Sequence, residues 1–149
     1  MKLFGRKEKA DYIVIIGCGR LGGSLANALS DEGKDVLIID SNKDSFRKLS
    51  TSYGGLTLIG DATDIDFLRE AQVEKATAVV VVTNNDNSNI MISQIAKEIF
   101  KKELVIARLY DPERDYVYHE FGIDTISPAV LSANAIRRLL SGDETEVSI

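Results

Sequence analysis

Residues 12–22 read YIVIIGCGRLG, in which an aliphatic run passes directly into the pattern G-x-G-x-x-G. The run predicts a buried strand over Tyr12–Ile16, and the apolar periodicity that follows the glycines predicts a helix over Arg20–Glu32. A glycine pattern between a strand and a helix is much more specific than the same pattern alone. The segment therefore predicts the first strand–turn–helix unit of an α/β domain.

Each glycine of this turn has its own steric task. Gly17 makes the tight turn, Gly19 lets the backbone approach a pyrophosphate, and Gly22 lets the helix pack closely against the strand. Unpaired N–H groups at the helix start attract the anion, so Cys18 and Leu21 belong to the same predicted phosphate-binding site. The alternative is a glycine turn that serves packing only.

The rest of the chain alternates between short β-branched runs and helical segments. Strands are predicted at Tyr12–Ile16, Val36–Ile39, Leu56–Ile59, Ala78–Val82, Leu104–Ala107 and Asp124–Ile126. Helices are predicted at Arg20–Glu32, Lys43–Ser50, Asp64–Glu70, Asn87–Phe100, Glu113–Glu120 and Ala129–Leu140. Because nearly continuous aliphatic strands imply burial on both faces, we expect a doubly wound six-stranded parallel sheet with helices on both faces, in the Rossmann order 3-2-1-4-5-6.

An acidic residue stands where the sugar of a bound nucleotide would lie. Asp40 ends the second predicted strand, and its carboxylate can accept both hydroxyls of a ribose, with Ser41 beside it. The same charge repels a 2′-phosphate, so the expected ligands are AMP, ADP, ATP or NAD(H), and NADP is disfavoured. Arg20 projects from the first helical turn, either toward a terminal phosphate or into solvent as an ordinary arginine.

Two later loops add phosphate and ribose partners, because the carboxyl ends of parallel strands share one edge of the sheet. Thr83 and Asn84 follow the fourth strand, although helix capping and solvent explain most of that polar loop. Arg108 follows the fifth strand on the side of the cleft. Its long side chain suits either a phosphate or an internal ion pair with Asp111.

The loop after the third strand is the predicted adenine site. Asp61 can accept from the exocyclic amine, and the backbone near Ala62 can pair with a ring nitrogen. Thr63 lies next to them, but with Asp66 it resembles a capping box, which is the structural alternative for this segment.

The composition fits one domain. The chain has 149 residues, of which 44% are hydrophobic, enough for one core and too few for two. We expect a nucleotide-binding domain over residues 12–140, between flexible tails at 1–11 and 141–149. The net charge of −5 argues against nucleic acid as a partner. The longest aliphatic stretch, Ala78–Val82, is far below the ~20 residues of a membrane helix, so we expect a cytoplasmic chain without direct membrane insertion.

Catalytic constellations are missing from the sequence. No tyrosine is followed four residues later by a lysine, and no Cys/His spacing suits a metal. The single histidine, His119, lies in a predicted helix away from the cleft. Cys18 at a helix start is a redox candidate, but packing inside the turn explains it better. We therefore predict neither catalytic nor metal-binding residues, and expect that the chain is not an enzyme.

Taken together, these residues resemble the N-terminal half of a regulator of potassium conductance (RCK) domain of the TrkA/KtrA type, over about residues 12–140. The resemblance rests on IIGCGRLGGS at 15–24, Asp40, GDATD at 60–64, Thr83, Asn84, Asp86, Asn89, and Arg108 before YDPE at 110–113. It implies phosphate contact by Arg20 and ribose contact by Asp40. It places the adenine beside Asp61 and Ala62.

The resemblance implies a regulatory role. Members of this family dimerise through the final helix and change the gate of a membrane partner when ATP, ADP or NAD(H) exchanges. We therefore expect a cytoplasmic nucleotide-binding regulatory subunit of a potassium uptake channel or transporter, partnered by a membrane potassium transporter subunit. The family's second, C-terminal ligand domain would begin where this sequence ends.

The predicted helix Ala129–Leu140 carries apolar side chains on more than one face, which independently favours a homodimer through this helix. Two other functions stay open. One is an NAD-dependent oxidoreductase subunit that takes its substrate groups from a partner chain. The other is an interaction module with a vestigial cleft, which would bind no nucleotide.

Overall fold

The computed structural model describes residues 11–142, and within this range six strands form one parallel sheet in the order β3-β2-β1-β4-β5-β6. The strands are β1 (Tyr12–Ile16), β2 (Asp35–Asp40), β3 (Leu56–Ile59), β4 (Ala78–Val81), β5 (Val105–Arg108) and β6 (Asp124–Ile126). Every neighbouring pair is parallel. The predicted fold class and strand order are confirmed.

Helical segments connect the strands. The α-helices are α1 (Arg20–Asp31), α2 (Ile65–Glu70), α3 (Asp86–Gln94), α4 (Asp115–Glu120) and α5 (Pro128–Leu140). Short 3₁₀ helices cover Lys43–Lys48, Val73–Lys75 and Pro112–Arg114, and a π-helical turn at Ile95–Ile99 continues α3. Pro112 and Pro128 stand at helix starts, where the first N–H groups have no intrahelical partner and a missing one costs little.

The central strands are buried on both faces, as their aliphatic sequences require. Alternate residues point to opposite sides, so Val14 and Ile16 belong to one buried cluster and Ile15 to the other. The first cluster reaches α2, α3 and α4, whereas the second is covered by α1 and the 3₁₀ helix at Lys43–Lys48. The sheet is therefore sandwiched between two helical layers.

The predicted helix Glu113–Glu120 begins within a 3₁₀ helix and is α-helical only from Asp115, and two other connections differ more. The segment after β2 is a 3₁₀ helix that ends at Lys48, with i→i+3 bonds such as Leu49 N to Phe46 O. The predicted helix Asn87–Phe100 is α-helical only to Gln94, after which Phe100 N bonds to Ile95 O in a π-helical turn. Apolar spacing predicts a buried face in both segments, but it does not determine which backbone hydrogen bond closes the turn.

Helix α5 differs from the other α-helices in its burial, because none of its 13 residues is buried. Its exposed apolar side chains are Val130, Leu131, Ile136, Leu139 and Leu140. The part of the chain that the structure describes contains no helix long and apolar enough to span a bilayer. The predicted flexible tails fall almost entirely on residues 1–10 and 143–149, which lie outside the described range.

Candidate functional site

A cavity of ≈ 480 Å³ opens at the carboxyl edge of the sheet, where the chain reverses direction between β1 and β4. This volume is in the range of small-molecule sites, and the position is where ligands of doubly wound folds bind. Eleven of the predicted site residues line it: Gly17, Cys18, Gly19, Asp40, Ser41, Asp61, Ala62, Thr63, Thr83, Asn84 and Arg108. The fold therefore brings together residues from five separate segments of the chain.

The three glycines of the turn have different surroundings. A Cβ on Gly17, whose φ is +107°, would lie 2.8 Å from Thr83 N, and a Cβ on Gly22 would lie 1.8 Å from Gly17 O. Both positions therefore need glycine for close backbone packing. A Cβ on Gly19, in contrast, would meet nothing within 4 Å. Packing alone does not explain Gly19, which faces open space beside the first turn of α1.

The start of α1 is free to receive an anion. Gly19 is its N-cap residue and provides no side-chain cap, and the first turn contains no acidic residue. The first amides of a helix lack intrahelical partners and carry the positive end of the helix dipole. The cavity thus meets an uncapped, 12-residue helix at its positive end.

Asp40 is tied to the glycine turn. Its Oδ2 accepts a hydrogen bond of 2.8 Å from Cys18 N, and its Oδ1 accepts one of 2.8 Å from Asn42 N. The carboxylate therefore helps to shape the turn as well as lining the cavity. Each carboxylate oxygen can accept a second hydrogen bond, so the predicted contact with ribose hydroxyls is compatible with these bonds and stays a prediction.

The Cys18 side chain points away from solvent and is buried. Its Sγ donates to Ser45 O over 3.3 Å. Burial, and then the charge of Asp40, raise the pKa of the Cys18 thiol, while Lys48 lowers it. The thiol is therefore kept protonated, which favours a packing role over redox chemistry.

The predicted adenine loop is organised by Asp61. Its Oδ1 accepts from Thr63 N at 2.9 Å and from Thr63 Oγ1 at 2.6 Å, and these two bonds lower the pKa of Asp61. The structural alternative, a capping box between Thr63 and Asp66, is not formed. The N-cap of α2 is Asp64, whose Oδ1 accepts from the amides of Asp66 and Phe67. Thr63 is already engaged by Asp61, so it does not cap the helix.

Of the two alternatives for Arg108, the ion pair with Asp111 is not formed. Arg108 Nη2 instead donates to Val82 O at 2.9 Å and to Thr83 O at 2.6 Å, because the side chain turns over the end of β4. Its guanidinium lies 4.8 Å from the centroid of the Tyr110 ring. Asp111 accepts from Glu113 N and caps the following 3₁₀ helix. Arg108 thus lines the cavity and also binds the backbone at the end of β4, which forms part of the cavity wall.

Three predicted residues do not line the cavity. Arg20 is exposed on the first turn of α1, and Leu21 packs against the buried cluster beneath that helix. Gly22 is enclosed between α1 and the turn. The phosphate contact assigned to Arg20 stays a prediction.

Several lining residues were not predicted. Ser45 and Lys48 come from the 3₁₀ helix after β2, and Asn85 and Ser88 come from the start of α3. Asn85 caps α3 by accepting from Ser88 N at 2.9 Å. The position of Asn85 and Ser88 beside Thr83 was a usable signal. The approach of Lys48 was not, because it depends on how the 3₁₀ helix packs against α1.

Residues suited to other chemistry lie elsewhere. His119 is exposed and its Nε2 lies 2.9 Å from the Asp115 carboxylate, one turn away on α4. Within residues 11–142 no group of three or more His, Cys, Asp or Glu side chains could hold a metal ion. The residues that line the cleft offer backbone and side-chain amides, hydroxyls, carboxylates, the amine of Lys48 and the guanidinium of Arg108, a set suited to phosphate, sugar and base.

Comparison with known proteins identifies a family and a relative of this chain. The family model of the TrkA-N domain matches residues 13–128. The Trk system potassium uptake protein TrkA of Streptomyces coelicolor is 47% identical over 135 residues, which cover 89% of this chain and 60% of that protein. The chain therefore spans about 60% of the length of this relative.

Two solved structures have the same fold. The GsuK channel bound to NAD has a TM-score of 0.78 at 26% identity, with 96% of this chain and 25% of the channel chain covered. The NAD(P)-binding domain of an exopolyphosphatase-related protein from Archaeoglobus fulgidus has a TM-score of 0.75 at 26% identity, with 90% and 99% covered. Together with the cavity at the glycine turn, the match over residues 13–128 shows that this chain belongs to the TrkA-N domain family.

Proposed function

We propose that this chain is the nucleotide-sensing part of a potassium uptake system and regulates a membrane subunit without catalysing a reaction. The proposal places it on the cytoplasmic side of the membrane, where adenine nucleotides and NAD(H) are available. The relationship to the Streptomyces potassium uptake protein supports the physiological assignment. The cleft supports the sensing role, since it combines an uncapped helix start with carboxylates and backbone groups whose chemistry suits a sugar and a base.

The open space at Gly19 carries this proposal. Of the three glycines, Gly19 alone has a position where a side chain would meet nothing within 4 Å, and that position faces the cavity. No packing contact therefore accounts for a glycine at this position of the turn. A phosphate can reach the first amides of α1 through this open space, as the second glycine of such turns allows.

We propose AMP, ADP, ATP or NAD(H) as the ligand class, with ribose at Asp40 and adenine between Asp61 and Ala62. The carboxylate of Asp40 repels a 2′-phosphate, which disfavours NADP. The structurally similar GsuK channel has been solved bound to NAD, which supports a dinucleotide as one member of the class.

We further propose that a second copy of the chain covers α5. Five large apolar side chains of this helix are exposed, and the helix buries none of its residues in its own domain. Exposed apolar surface of this kind marks an interaction site. Because ligands act on an equilibrium only through different affinities for its states, a nucleotide would regulate by favouring one arrangement of the dimer and of its membrane partner.

Calorimetric titration with AMP, ADP, ATP, NAD, NADH and NADP tests the ligand class. We expect binding of the adenine nucleotides and NAD(H), with NADP weaker by at least about ten-fold. Absence of binding by all six would overturn the proposal and favour a vestigial cleft. Potassium flux through the reconstituted membrane subunit tests the regulatory role, and equal flux with every ligand would contradict it.

The similarity to the NAD(P)-binding domain from Archaeoglobus fulgidus keeps one other function in view, an NAD-dependent oxidoreductase subunit. Such a subunit would need substrate groups from a partner chain. Reduction of bound NAD in the presence of candidate partners and substrates would favour it, and would contradict a purely regulatory role.

A further inference from the structure

Asn89 is a fully buried polar residue on α3, and its side chain uses all of its hydrogen-bonding capacity. Its Oδ1 accepts from Thr83 N at 3.1 Å and also from Thr83 Oγ1. Its Nδ2 donates to Thr83 O and to Arg108 O, each at 3.1 Å. One side chain thus binds the loop after β4 at three atoms and the end of β5 at a fourth.

The two residues held by Asn89 are also joined to each other. Arg108 Nη2 donates back to Thr83 O, the same carbonyl that accepts from Asn89. The bonds form a closed network that joins β4, α3 and β5 at the edge of the sheet. A change in the position of one member would break bonds to buried partners and leave them unsatisfied. The network therefore favours a single arrangement of Thr83, Asn89 and Arg108.

Asn89 itself does not line the cavity, whereas Thr83 and Arg108 both do. The side-chain hydrogen bonds of Asn89 therefore reach the cavity through these two residues. Its neighbour Ser93, one turn further along α3, is equally buried, but its hydroxyl has no hydrogen-bond partner within the described part of the chain. Ser93 is thus as buried as Asn89, but its side chain has no hydrogen bond to a described cleft residue. What distinguishes Asn89 is its bonds to Thr83 and Arg108.

We infer that Asn89 is a positioning residue for the nucleotide site: it fixes Thr83 and Arg108 in the geometry that receives the phosphate and ribose groups. The inference rests on the proposed function, since it concerns the same cleft. Of the four bonds from Asn89, three hold Thr83 and one holds the backbone of Arg108, so both residues lose less conformational entropy when a ligand binds.

The test compares Asn89→Asp and Asn89→Ala with Ser93→Ala as the matched control. Asn89→Asp keeps the shape and the acceptor oxygens but loses both donated bonds, whereas Ser93→Ala removes only an unpaired hydroxyl. The readout is the Kd for ADP, measured by calorimetry after circular dichroism has confirmed folding. We expect both Asn89 variants to bind ADP at least roughly ten-fold more weakly than wild type, and Ser93→Ala to bind within about two-fold.

A merely structural role for Asn89 would lower the melting temperature and leave the Kd of the folded protein unchanged, and that result would overturn the inference. An equal loss in Ser93→Ala would overturn it as well. If neither Asn89 variant folds, the wild-type side-chain amide of Asn89 is followed by NMR during an ADP titration. Its resonances should shift as ADP saturates the site, and unchanged resonances would contradict the inference.

The same titrations separate this inference from the proposed function. Wild-type protein that binds no nucleotide would remove both. Wild-type protein that binds ADP, together with folded Asn89 variants that bind it equally well, would remove only the role of Asn89.

Discussion

Single residues of the glycine turn meet two different requirements. Gly17 and Gly22 allow close backbone packing, and Gly19 leaves space beside the start of α1. Gly17 and Gly22 leave no room for a methyl group, because backbone atoms lie within 3 Å of the position that it would take. Gly19 has that room, and its backbone, with φ −88° and ψ −161°, is extended and not in the positive-φ region that favours glycine. Substitution at these positions should therefore separate stability from binding.

We predict that Gly19→Ala leaves the fold almost unchanged and weakens ADP binding. The cost in unfolding free energy should be about 1 kcal/mol or less, as for alanine at an N-cap position. The methyl group would occupy the space through which a phosphate reaches the amides, each bond to a charged group being worth roughly 1.5–3 kcal/mol. Urea unfolding and ADP calorimetry measure the two effects, and ADP affinity equal to that of wild type would contradict the phosphate site.

Gly22→Ala is the matched variant with the opposite outcome. Its Cβ would lie 1.8 Å from Gly17 O, so α1 must move away from the turn. We predict a loss of unfolding free energy of about 3 kcal/mol or more, measured by the same urea titration. A variant as stable as wild type would mean that α1 and the turn are packed less closely than the structure shows.

The two hydrogen bonds from Thr63 predict how Asp61 responds to pH. A lowered pKa means that the ionised carboxylate contributes stability above its unfolded pKa, and that this contribution is lost as the pH falls through the folded value. Thr63→Val removes the hydroxyl bond and should raise the pKa of Asp61 toward its ordinary value of 3.8. Carboxyl NMR titration measures this shift.

Thr77→Val is the control for the Asp61 titration, because the Thr77 hydroxyl donates to the backbone of Tyr12 instead of to a carboxylate. This control should leave the pKa of Asp61 as it is in wild type. An unchanged Asp61 pKa in Thr63→Val would contradict the hydroxyl bond.

From the residue types in the sequence we could predict which side chains line the cleft. We could not predict which atoms those side chains bind. Asp40, Asp61 and Arg108 all line the cavity as expected. However, each is also bound to backbone or to a neighbouring hydroxyl, and these bonds depend on side-chain rotamers that the sequence pattern does not specify. Asn89 was not assigned a role for the same reason, since its partners belong to two other elements.

At the scale of elements, α5 gives the clearest prediction. On a helical projection, at about 100° per residue, Ile136 and Leu139 lie about 60° apart on one side of α5. Asn134 lies about 160° from Ile136, on the side that carries Arg137 and Arg138. Ile136 is 56% exposed within one chain. Ile136→Glu should therefore leave the domain folded and place a charge at the interface of the proposed homodimer, converting it to a monomer.

Sedimentation at tens of micromolar, roughly the range of weak dimers, measures this change. Asn134→Glu introduces the same charge on the polar side of α5 and should sediment as wild type does. A wild-type monomer, or a dimer that survives Ile136→Glu, would contradict dimerisation through this helix.

The strands were more predictable than the helical connections. β1, β3 and β6 have the predicted boundaries, because aliphatic or β-branched runs end at polar or glycine residues there. β5 begins one residue later than predicted, since Leu104 is exposed ahead of the sheet. The 3₁₀ turn at Val73–Lys75 was missed because three residues are too few to display a period.

At the scale of the whole molecule, the cleft exists only when the sheet is assembled. Its walls come from the ends of β1, β2, β3, β4 and β5, which are far apart in the sequence and meet through parallel pairing. An unfolded chain has no such arrangement of amides and carboxylates. A nucleotide at the proposed site would therefore bind the native state alone, and would raise the free energy of unfolding by RT ln(1 + L/Kd), where L is the free ligand concentration.

This linkage predicts that ADP at about 100 times its Kd stabilises the chain by ~2.7 kcal/mol. For a chain of this length that corresponds to a rise in melting temperature of roughly 5–10 °C, which should continue with the logarithm of ADP concentration. Differential scanning calorimetry measures the rise. Gly19→Ala should melt near the wild-type temperature without ligand and rise much less with ADP, because its cleft is blocked while its core is intact. A melting temperature of wild type that does not depend on ADP would contradict a native-state nucleotide site.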